Sequence, residues 1–555
     1  MAKLYVFAWD GVSFDLLRPW MDEGRLPNLR ALIDEGASGP LPTVFPPVTA
    51  TSWSSFATGT NPGSHGIFDM TLLRRDGALR EEAASAHSLH GRTLWDLAAQ
   101  HGLRSIVVNL PPTWPPKPME GALVADFLAP QGDRRLSWPP ELIDEIEQRF
   151  GPYRLHFKKI YRKGGIGELL DEAREVFRYK LGVVEHLTRT RDWDLVIHHV
   201  FGSDRLQHEL WHVLDPSHPA HDPEEGAAWA PKIADYFDEL DAAIPRIRKW
   251  LGVDGTICLL SDHGFGPVHR YLVLNCWLLE RGYLVLRKGA LSRIRAALFR
   301  SGFTPDLAYR IADKLGLGHL RHSGGIGTRH KQLAFVSNFF LSFADVDWSR
   351  TVAYSKGNFG QIYMNVRGRE PEGILDPGEE YEAARTRIIS DLAALTEPGG
   401  RELLFESVWR REELYRGELV DRAPDILFLP KDMRWKALGV LDFIANSFVL
   451  PNFGQSGDHR MDGMFTIAGP SIRRGHRITE AHMLDVAPTL LHLLGAPVSD
   501  RMEGRVLREA LTEEHARANP VLTEDYGPGE GSAEAPSDDE LQQVRDQLKG
   551  LGYIG

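Results

Sequence analysis

The sequence has 555 residues, of which 43% are hydrophobic and 25% are charged, a composition that excludes disordered and fibrous chains. Its formal net charge of −12 argues against nucleic acid as a structural partner, because the average surface would repel a polyanion. The length exceeds what one hydrophobic core usually organises, so we expect a large domain that carries a smaller one.

The N-terminal sequence and the cysteine content both favour a cytoplasmic location. MAKLYVFAWDG runs directly into a predicted core strand without the features of a signal peptide, and no window approaches the length of a membrane span. Cys258 and Cys276 cannot supply a disulfide framework for a chain of this size, which fits a reducing compartment.

Short apolar runs alternate with longer amphipathic stretches along most of the chain, as is typical of buried strands in a parallel sheet. The predicted strands are residues 4–9, 105–110, 194–200, 256–261, 425–429 and 464–468. Residues 233–251 keep their apolar side chains on one helical face despite Pro245, and residues 484–494 form a second predicted helix with Pro488 in its first turn. This alternation predicts an α/β sandwich.

The alternation of predicted strands and helices stops after about residue 270 and resumes near residue 421. The predicted parts are a catalytic core in residues 1–270 and 422–512, an inserted α+β cap domain in residues 271–421, and a linker with a C-terminal docking helix in residues 513–555. Ser537 and Glu540 form a capping box for that last helix. We expect it to pack on the body or on a second subunit of a homo-oligomer.

Residues 287–331 form a basic segment within an acidic protein, with ten lysines and arginines against two aspartates. Leu291, Ile294 and Leu298 share one helical face there. Three interpretations stay open: a lid over an anionic substrate, a helix that makes peripheral contact with a membrane surface, or a solvated helical hairpin.

Carboxylates and imidazoles lie at the ends of the predicted strands, where open α/β sheets place their ligands. They are Asp10 after the first strand, Asp204 and His208 after residues 194–200, Asp262 and His263 after residues 256–261, and His459 before residues 464–468. The Asp-x-x-x-His spacing of Asp204 and His208 places both side chains on one side of a helical turn. Such a pair can bind one metal ion.

Thr49 follows two prolines at the predicted start of a helix, in FPPVTATSWSSF. Unsatisfied N–H groups at a helix N-terminus favour a bound phosphate. A divalent metal can lower the pKa of a hydroxyl enough for attack at neutral pH, and a second metal roughly 4 Å away can stabilise the opposite oxygen of an in-line displacement. Thr51, Ser52 and Thr58 are alternatives to Thr49, and Thr51 is the most serious.

In this order along the chain, the motifs Asp, Thr, Asp-x-x-x-His, Asp-His and His resemble those of the alkaline phosphatase superfamily, nearest its type I phosphodiesterase and nucleotide pyrophosphatase branch. Residues 58–67 and 485–507 are also similar to segments of that superfamily, including its uncharacterised phosphohydrolase and phosphomutase members. The resemblance covers most of residues 1–270 and 420–510. It implies an alkaline phosphatase-like three-layer sandwich with a mostly parallel central sheet.

The resemblance also implies two divalent metal ions and a small-molecule phosphate ester as substrate. The first ion would be held by Asp204, His208 and His459, and the second by Asp10, Asp262, His263 and the Thr49 oxygen. Zinc is the usual occupant in the diesterase branch, and manganese serves in some relatives. The implied reaction is hydrolysis through a covalent phosphothreonine on Thr49.

The sequence departs from parts of that superfamily. Sulfatases need a cysteine or serine precursor in a motif that residues 49–53 lack. Nucleotide pyrophosphatases typically place a phosphate-contacting asparagine just after the HGI motif, where this chain has Met70, so the preference between phosphodiesters and phosphomonoesters stays open. The side chains interpreted as core or ligand-orienting residues are His65, Asp69, His198, His199, His212 and Asp458.

Two other functions compete with hydrolysis. A phosphomutase or phosphotransferase on the same scaffold is disfavoured, because those relatives use a serine nucleophile and this chain offers a threonine. A non-catalytic protein that binds an anionic ligand or a membrane surface is disfavoured by the intact set of metal ligands.

Overall fold

The structure is a computed structural model that describes residues 3–551 except 76, 78, 306, 308–339, 440–442, 453–454, 528 and 530–533. The strands are β1 Leu4–Trp9, β2 Ala37–Pro42, β3 Thr71–Arg74, β4 Arg80–Ala83, β5 Ser105–Val108, β6 Gly121–Val124, β7 Ser137–Trp138, β8 Leu195–Val200, β9 Thr256–Leu260, β10 Gly264–Pro267, β11 Arg270–Val273, β12 Ala353–Ser355, β13 Gln361–Met364, β14 Phe405–Arg410, β15 Ile426–Pro430, β16 Trp435–Leu438, β17 Val449–Pro451, β18 Gly457–Arg460, β19 Asp462–Ala468, β20 His476–Arg477, β21 Val498–Ser499 and β22 Thr523–Glu524. The α-helices are α1 Phe14–Asp22, α2 Pro27–Glu35, α3 Thr49–Thr58, α4 Pro62–His65, α5 Leu94–Gln100, α6 Leu142–Phe150, α7 Ile166–Thr190, α8 Gly202–Leu214, α9 Pro223–Leu251, α10 Leu274–Glu280, α11 Ala290–Arg300, α12 Glu379–Ala393, α13 Arg411–Leu414, α14 Met483–Leu493, α15 Glu513–Ala518 and α16 Asp538–Leu551.

A nine-stranded sheet crosses the described part of the molecule in the order β20-β2-β19-β9-β1-β8-β5-β6-β7. Its centre is parallel: β1 pairs with β8 and β9, and β5 pairs with β8 and β6. The strands β19 and β7 run antiparallel to their neighbours β9 and β6. The predicted α/β class with a mostly parallel central sheet is therefore confirmed.

Helices cover both faces of this sheet. Alternate side chains of β1 enter two separate hydrophobic cores, with Leu4 and Val6 in one and Tyr5 and Phe7 in the other. The first core also contains side chains of α3, α5, α14 and α16, and the second contains side chains of α1, α2, α7 and α9. A strand that is buried on both faces needs an uninterrupted apolar run, which is the pattern that predicts β1 from the sequence.

A second lobe, formed by described residues between Val268 and Leu450, has a hydrophobic core of its own. It contains the sheets β12-β13-β15-β14 and β16-β11-β17. The cap limits of 271–421 stay a prediction, and the strands of this lobe continue to the end of β17 at Pro451.

The prediction that residues 425–429 form a strand of the parallel sheet is wrong. The strand exists as β15, but it pairs antiparallel with β13 and β14 in the second lobe. Asp425, which is fully buried just before β15, binds Arg369 at 2.6 Å and Arg411 at 3.2 Å. Because a buried carboxylate needs such partners, these two arginines of the second lobe hold the strand there.

The parallel strands β1, β8 and β9 end at the same edge of the sheet. Asp10 follows β1 directly, α8 with Asp204 and His208 begins just after β8, and Asp262 follows β9 by two residues. The antiparallel pair β10 and β18 places His459 opposite Phe265. Residues far apart in the sequence therefore meet at one edge.

The C-terminal helix α16 packs on the body of the same chain. Its capping box is present, with Ser537 N donating to Glu540 Oε2 at 2.8 Å and Glu540 N donating to Ser537 Oγ at 3.4 Å. Leu548 of α16 is fully buried in the core that contains α3 and α14. Arg205, also fully buried, donates a hydrogen bond to Leu551 O at the end of α16.

We expect Leu548→Ala to lower the free energy of unfolding by about 2–5 kcal/mol, because the substitution leaves a cavity in a core that cannot fully collapse. Chemical denaturation followed by circular dichroism measures this loss. Gln542→Ala, at an exposed position of the same helix, is the matched control and should leave the midpoint nearly unchanged. Equal midpoints for Leu548→Ala and the parent would show that α16 does not stabilise the body.

In the part of the chain that the structure describes, no helix combines the length and the apolar character needed to cross a membrane. Cys258 and Cys276 are both buried and free of disulfide bonds. The cytoplasmic location and the possible homo-oligomer stay predictions.

Candidate metal centre and active site

The side chains that the sequence singles out as metal ligands and nucleophile lie together at the carboxyl edge of the central sheet. They are Asp10, Thr49, Asp204, His208, Asp262, His263 and His459, each at most 2% exposed. Buried carboxylates and imidazoles in one place need either hydrogen-bond partners or a bound cation.

One group of ligand atoms is formed by Asp204, His208 and His459. Asp204 Oδ1 lies 3.1 Å from His459 Nε2 and 3.5 Å from His208 Nε2, and the two Nε2 atoms are 2.9 Å apart. Asp204 and His208 are one turn apart in α8, as their spacing predicts. These three residues can contribute one atom each to a common cation.

A second group is formed by Asp10, Asp262 and His263. His263 Nε2 lies 3.4 Å from Asp10 Oδ1 and 3.3 Å from Asp262 Oδ2. The ligand atoms of these three residues all lie within 4.8 Å of one another. The amide of Gly11 donates to Asp262 Oδ1 at 3.2 Å, which orients that carboxylate.

The two groups are neighbours. His263 Nε2 is also 4.0 Å from Asp204 Oδ1, and the rings of His263 and His459 stack with centroids 3.7 Å apart. Gly11 occupies the junction with φ +72°, and a Cβ there would lie 3.3 Å from Cα and Cβ of Asp204. The backbone between the two groups therefore favours glycine.

Each of the three histidines presents Nε2 to the carboxylates in a fixed tautomer. Nδ1 lies near a backbone carbonyl oxygen at 2.9 Å in His208, 3.0 Å in His263 and 2.6 Å in His459. Because a carbonyl oxygen only accepts, Nδ1 carries a proton in each ring, and a ring that is neutral keeps its lone pair on Nε2. This arrangement is typical of metal-binding histidines. The pKa of His459 is raised from its usual value, because the hydrogen bond and the charge of Asp204 outweigh the effect of burial, and a bound cation would displace the proton from its Nε2.

Burial lowers the pKa of His263 to about 3 and the pKa of His208 well below its usual value. Both rings are therefore neutral at pH 7, as metal ligation requires. Burial, together with the nearby Asp10 and Asp204 carboxylates, raises the pKa of Asp262 well above its usual value. Asp10 differs, because its hydrogen bond with His199 outweighs burial and lowers its pKa from the usual value.

Two buried carboxylate oxygens also favour a bound cation at this position. Asp10 Oδ1 and Asp262 Oδ2 have no hydrogen-bond partner among the described residues. Unpaired carboxylate oxygens facing imidazole lone pairs are costly unless a cation lies between them. The donor set of nitrogen and oxygen atoms therefore fits divalent transition-metal ions such as zinc or manganese.

Thr49 begins α3 after the extended residue Val48. Its Oγ1 lies 3.4 Å from His263 Nε2, so the hydroxyl borders the second group of ligands. The preceding loop is tied to the first group, because Pro47 O accepts the hydrogen bond from His459 Nδ1. A phosphoryl group at this point would meet the N-terminal N–H groups of a ten-residue helix.

The alternative hydroxyls have other surroundings. Ser52 Oγ accepts a hydrogen bond from Thr43 at 2.9 Å, and Thr58 Oγ1 donates to Ser54 O at 2.8 Å. Thr51 Oγ1 is buried and makes no hydrogen bond within the described ranges. The contact with His263 distinguishes Thr49 from these three.

Several residues that the sequence assigns to supporting positions contact the ligands. His199 Nε2 lies 2.6 Å from Asp10 Oδ2, and Asp458 Oδ1 lies 3.9 Å from His208 Nδ1. Asp458 also forms a group with His208 and His459 whose ligand atoms lie within 4.8 Å of one another. His198 lies deeper and is hydrogen-bonded to Tyr5 at 3.0 Å.

Three residues of the second lobe that border the first group are not predicted from the sequence. Asn358, Phe359 and Lys436 line the same opening as His208 and His459. The ring of Phe359 stacks on His459, with centroids 5.4 Å apart and planes at 23°. No motif marks these residues, and only the packing of the two lobes brings them to the metal centre.

The basic segment is described only in part. Within α11, Leu291 and Ile294 are 56% and 57% exposed, so their shared face points to solvent. Arg310, Lys314, Arg321, Arg329 and Lys331 lie outside the described residues. The choice between a lid, a membrane-surface helix and a solvated hairpin stays a prediction.

A family model described as type I phosphodiesterase and nucleotide pyrophosphatase matches residues 4–439. The chain belongs to this family. It is accordingly a hydrolase of phosphoric ester bonds, and the aspartate and histidine groups at the sheet edge agree with the metal dependence of the family. A comparison with curated proteins finds no significant match.

Solved structures share the fold of this phosphodiesterase family member. Murine ectonucleotide pyrophosphatase/phosphodiesterase 5 aligns with a TM-score of 0.50 at 13% identity, over 92% of this chain and 100% of that chain. Phosphonoacetate hydrolase from Sinorhizobium meliloti 1021, in complex with phosphonoacetate, aligns with a TM-score of 0.51 at 14% identity, over 89% and 95%. The predicted alkaline phosphatase-like fold is thereby confirmed.

Proposed function

We propose that this protein hydrolyses small phosphate esters at a site for two divalent cations, through a covalent phosphothreonine on Thr49. The observation that carries the proposal is the position of Thr49 Oγ1 at the start of α3, 3.4 Å from His263. One cation would be held by Asp204, His208 and His459, and the other by Asp10, Asp262, His263 and Thr49.

Bound cations of this kind supply positive charge that lowers the pKa of a hydroxyl and stabilises phosphoryl oxygens. The N-terminal N–H groups of α3 orient the phosphoryl group in front of Thr49. A new bond forms between Thr49 Oγ and phosphorus as the ester P–O bond breaks, and the leaving alcohol takes up the proton that Thr49 releases.

Water completes the cycle. It attacks phosphorus, the bond between Thr49 Oγ and phosphorus breaks, and one proton of that water returns to Thr49. The products are inorganic phosphate from a monoester, or a monoester from a diester. Zinc is the proposed occupant, with manganese as the alternative, because nitrogen and oxygen ligands suit both ions.

The test is a hydrolysis screen of the full chain with added zinc or manganese. It compares an aryl phosphate monoester, a bis-aryl phosphodiester and a nucleotide diester, with a chelator-treated sample as the control. We expect metal-dependent release of the aryl alcohol from at least one class. Addition of excess acceptor alcohol separates hydrolysis from phosphoryl transfer, and activity that survives chelation would reject the proposed site.

A further inference from the structure

Two polar side chains of the second lobe lie at the edge of the metal centre and are not used by the mechanism above. Asn358 and Lys436 are only 8% exposed each. They line one opening together with His208, His459 and Val48. Since Val48 directly precedes Thr49, this opening also borders the start of α3.

Lys436 is held in place by two acceptors. Its Nζ lies 3.1 Å from Asp458 Oδ2 and 3.1 Å from Gln455 Oε1. Asp458 is in turn 3.9 Å from His208 through its other oxygen. An ammonium group can donate three hydrogen bonds, so these two contacts leave Lys436 a third donor.

Asn358 stands on a loop whose conformation is fixed. The loop joins β12 to β13, and its glycines Gly357 and Gly360 have φ values of +102° and +74°. Gly357 exchanges two backbone hydrogen bonds with Gly439, at 2.9 and 2.7 Å. Because Gly439 follows β16 directly, these bonds join the loop of Asn358 to the strand of Lys436.

Phe359 places this loop against the metal ligands. Its ring stacks on His459, and Lys436 Nζ lies 5.8 Å from the centre of the same ring. The amide of Asn358 and the ammonium group of Lys436 therefore lie beside the group formed by Asp204, His208 and His459. Met70 lines the same opening, and its side chain has no hydrogen-bond donor.

We propose that Asn358 and Lys436 form a subsite for a second negative charge of the substrate. The inference rests on the proposed function and names its substrate class: phosphate esters that carry more than the single charge of a simple diester. That charge has two possible sources, the third terminal oxygen of a phosphomonoester or an anionic leaving group such as a second phosphate.

The experiment pairs the metal-loaded parent with Lys436→Met, and compares an aryl phosphate monoester with the bis-aryl diester that has the same leaving group. The variant should lose about 10²-fold in kcat/KM for the monoester and no more than about threefold for the diester, because it removes a buried charge that pairs with an anion. Asn358→Ala should show the same selectivity with a smaller loss.

A nucleoside triphosphate is the third substrate. A loss of kcat/KM for the nucleoside triphosphate alone would place the second charge on the leaving group.

Binding of inorganic phosphate gives a readout independent of turnover. Calorimetry on the metal-loaded protein should show a dissociation constant raised by about 10²-fold in Lys436→Met, with the metal content unchanged by elemental analysis. Lys431→Met is the matched control, because Lys431 is an exposed lysine of the same lobe that pairs with Glu402, and it should match the parent.

The double variant Lys436→Met/Asp458→Asn tests whether Lys436 merely neutralises Asp458. Recovery of the monoester rate in the double variant would overturn the subsite, as would equal losses for monoester and diester, or unchanged rates and phosphate binding. If the parent cleaves none of the three substrates, the proposed function fails. The phosphate-binding measurement then still decides the subsite.

Discussion

Thr49→Ala should lower kcat/KM by about 10³-fold or more for every substrate that the parent cleaves, because the variant lacks the oxygen that bonds to phosphorus. The carboxylates and imidazoles of the metal centre are untouched, so metal content should stay near the parent value. Steady-state rates with elemental analysis measure both. Acid quenching of the parent during turnover should yield a phosphorylated peptide that contains residue 49.

Thr51→Ala is the matched control for this experiment. Thr51 lies in the same buried helix, two residues further on, and its hydroxyl makes no hydrogen bond in the described part of the chain. We expect rates close to those of the parent. If Thr51→Ala were inactive and Thr49→Ala active, the nucleophile would be reassigned to Thr51.

Removal of the divalent ions should abolish hydrolysis and lower the melting temperature. The ions would offset the charge of the buried carboxylates, and saturation at about 1,000 times Kd contributes about 4 kcal/mol to the free energy of unfolding. Thermal unfolding with chelator, and again after addition of zinc or manganese, measures the difference. An unchanged melting temperature would show that the group of carboxylates holds no ion.

Asp262→Asn sharpens this prediction. The raised pKa of Asp262 reflects its burial and the adjacent Asp10 and Asp204 carboxylates, so a neutral amide should relieve repulsion in the chelated protein. We expect the variant to be inactive, to be at least as stable as the parent without metal, and to gain little stability from added metal. Asp254→Asn, at an exposed position before β9, should behave like the parent.

The sequence predicts the central sheet and the cluster of carboxylates and imidazoles at its edge because both leave local signals. The strand β1 is an uninterrupted apolar run, and Asp10 and Asp262 stand where such runs end. A ligand at the carboxyl end of a parallel strand faces the same edge as its neighbours. This prediction does not depend on the strand order, so the residue types at the strand ends are enough to place these side chains at one edge.

Other features leave no such signal. The strand β15 has the apolar pattern of a core strand, and only its tertiary ion pairs with Arg369 and Arg411 assign it to the second lobe. The strand β2, with the sequence ASGPLP, is missed because glycine and proline are poor strand formers. Asn358 and Lys436 reach the metal centre through lobe packing, which no residue spacing encodes.

The pairing of β1 has a consequence for biosynthesis. Residue 4 pairs with residues 195 and 256, and the last proposed ligand along the chain is His459. A growing chain on the ribosome therefore carries the apolar strand β1 without a partner until residues 195–200 have been translated, and it carries an incomplete set of carboxylates and imidazoles until residue 459 has been added. Such exposed strands are prone to aggregate, so the nascent chain is expected to depend on chaperones more than the finished protein does.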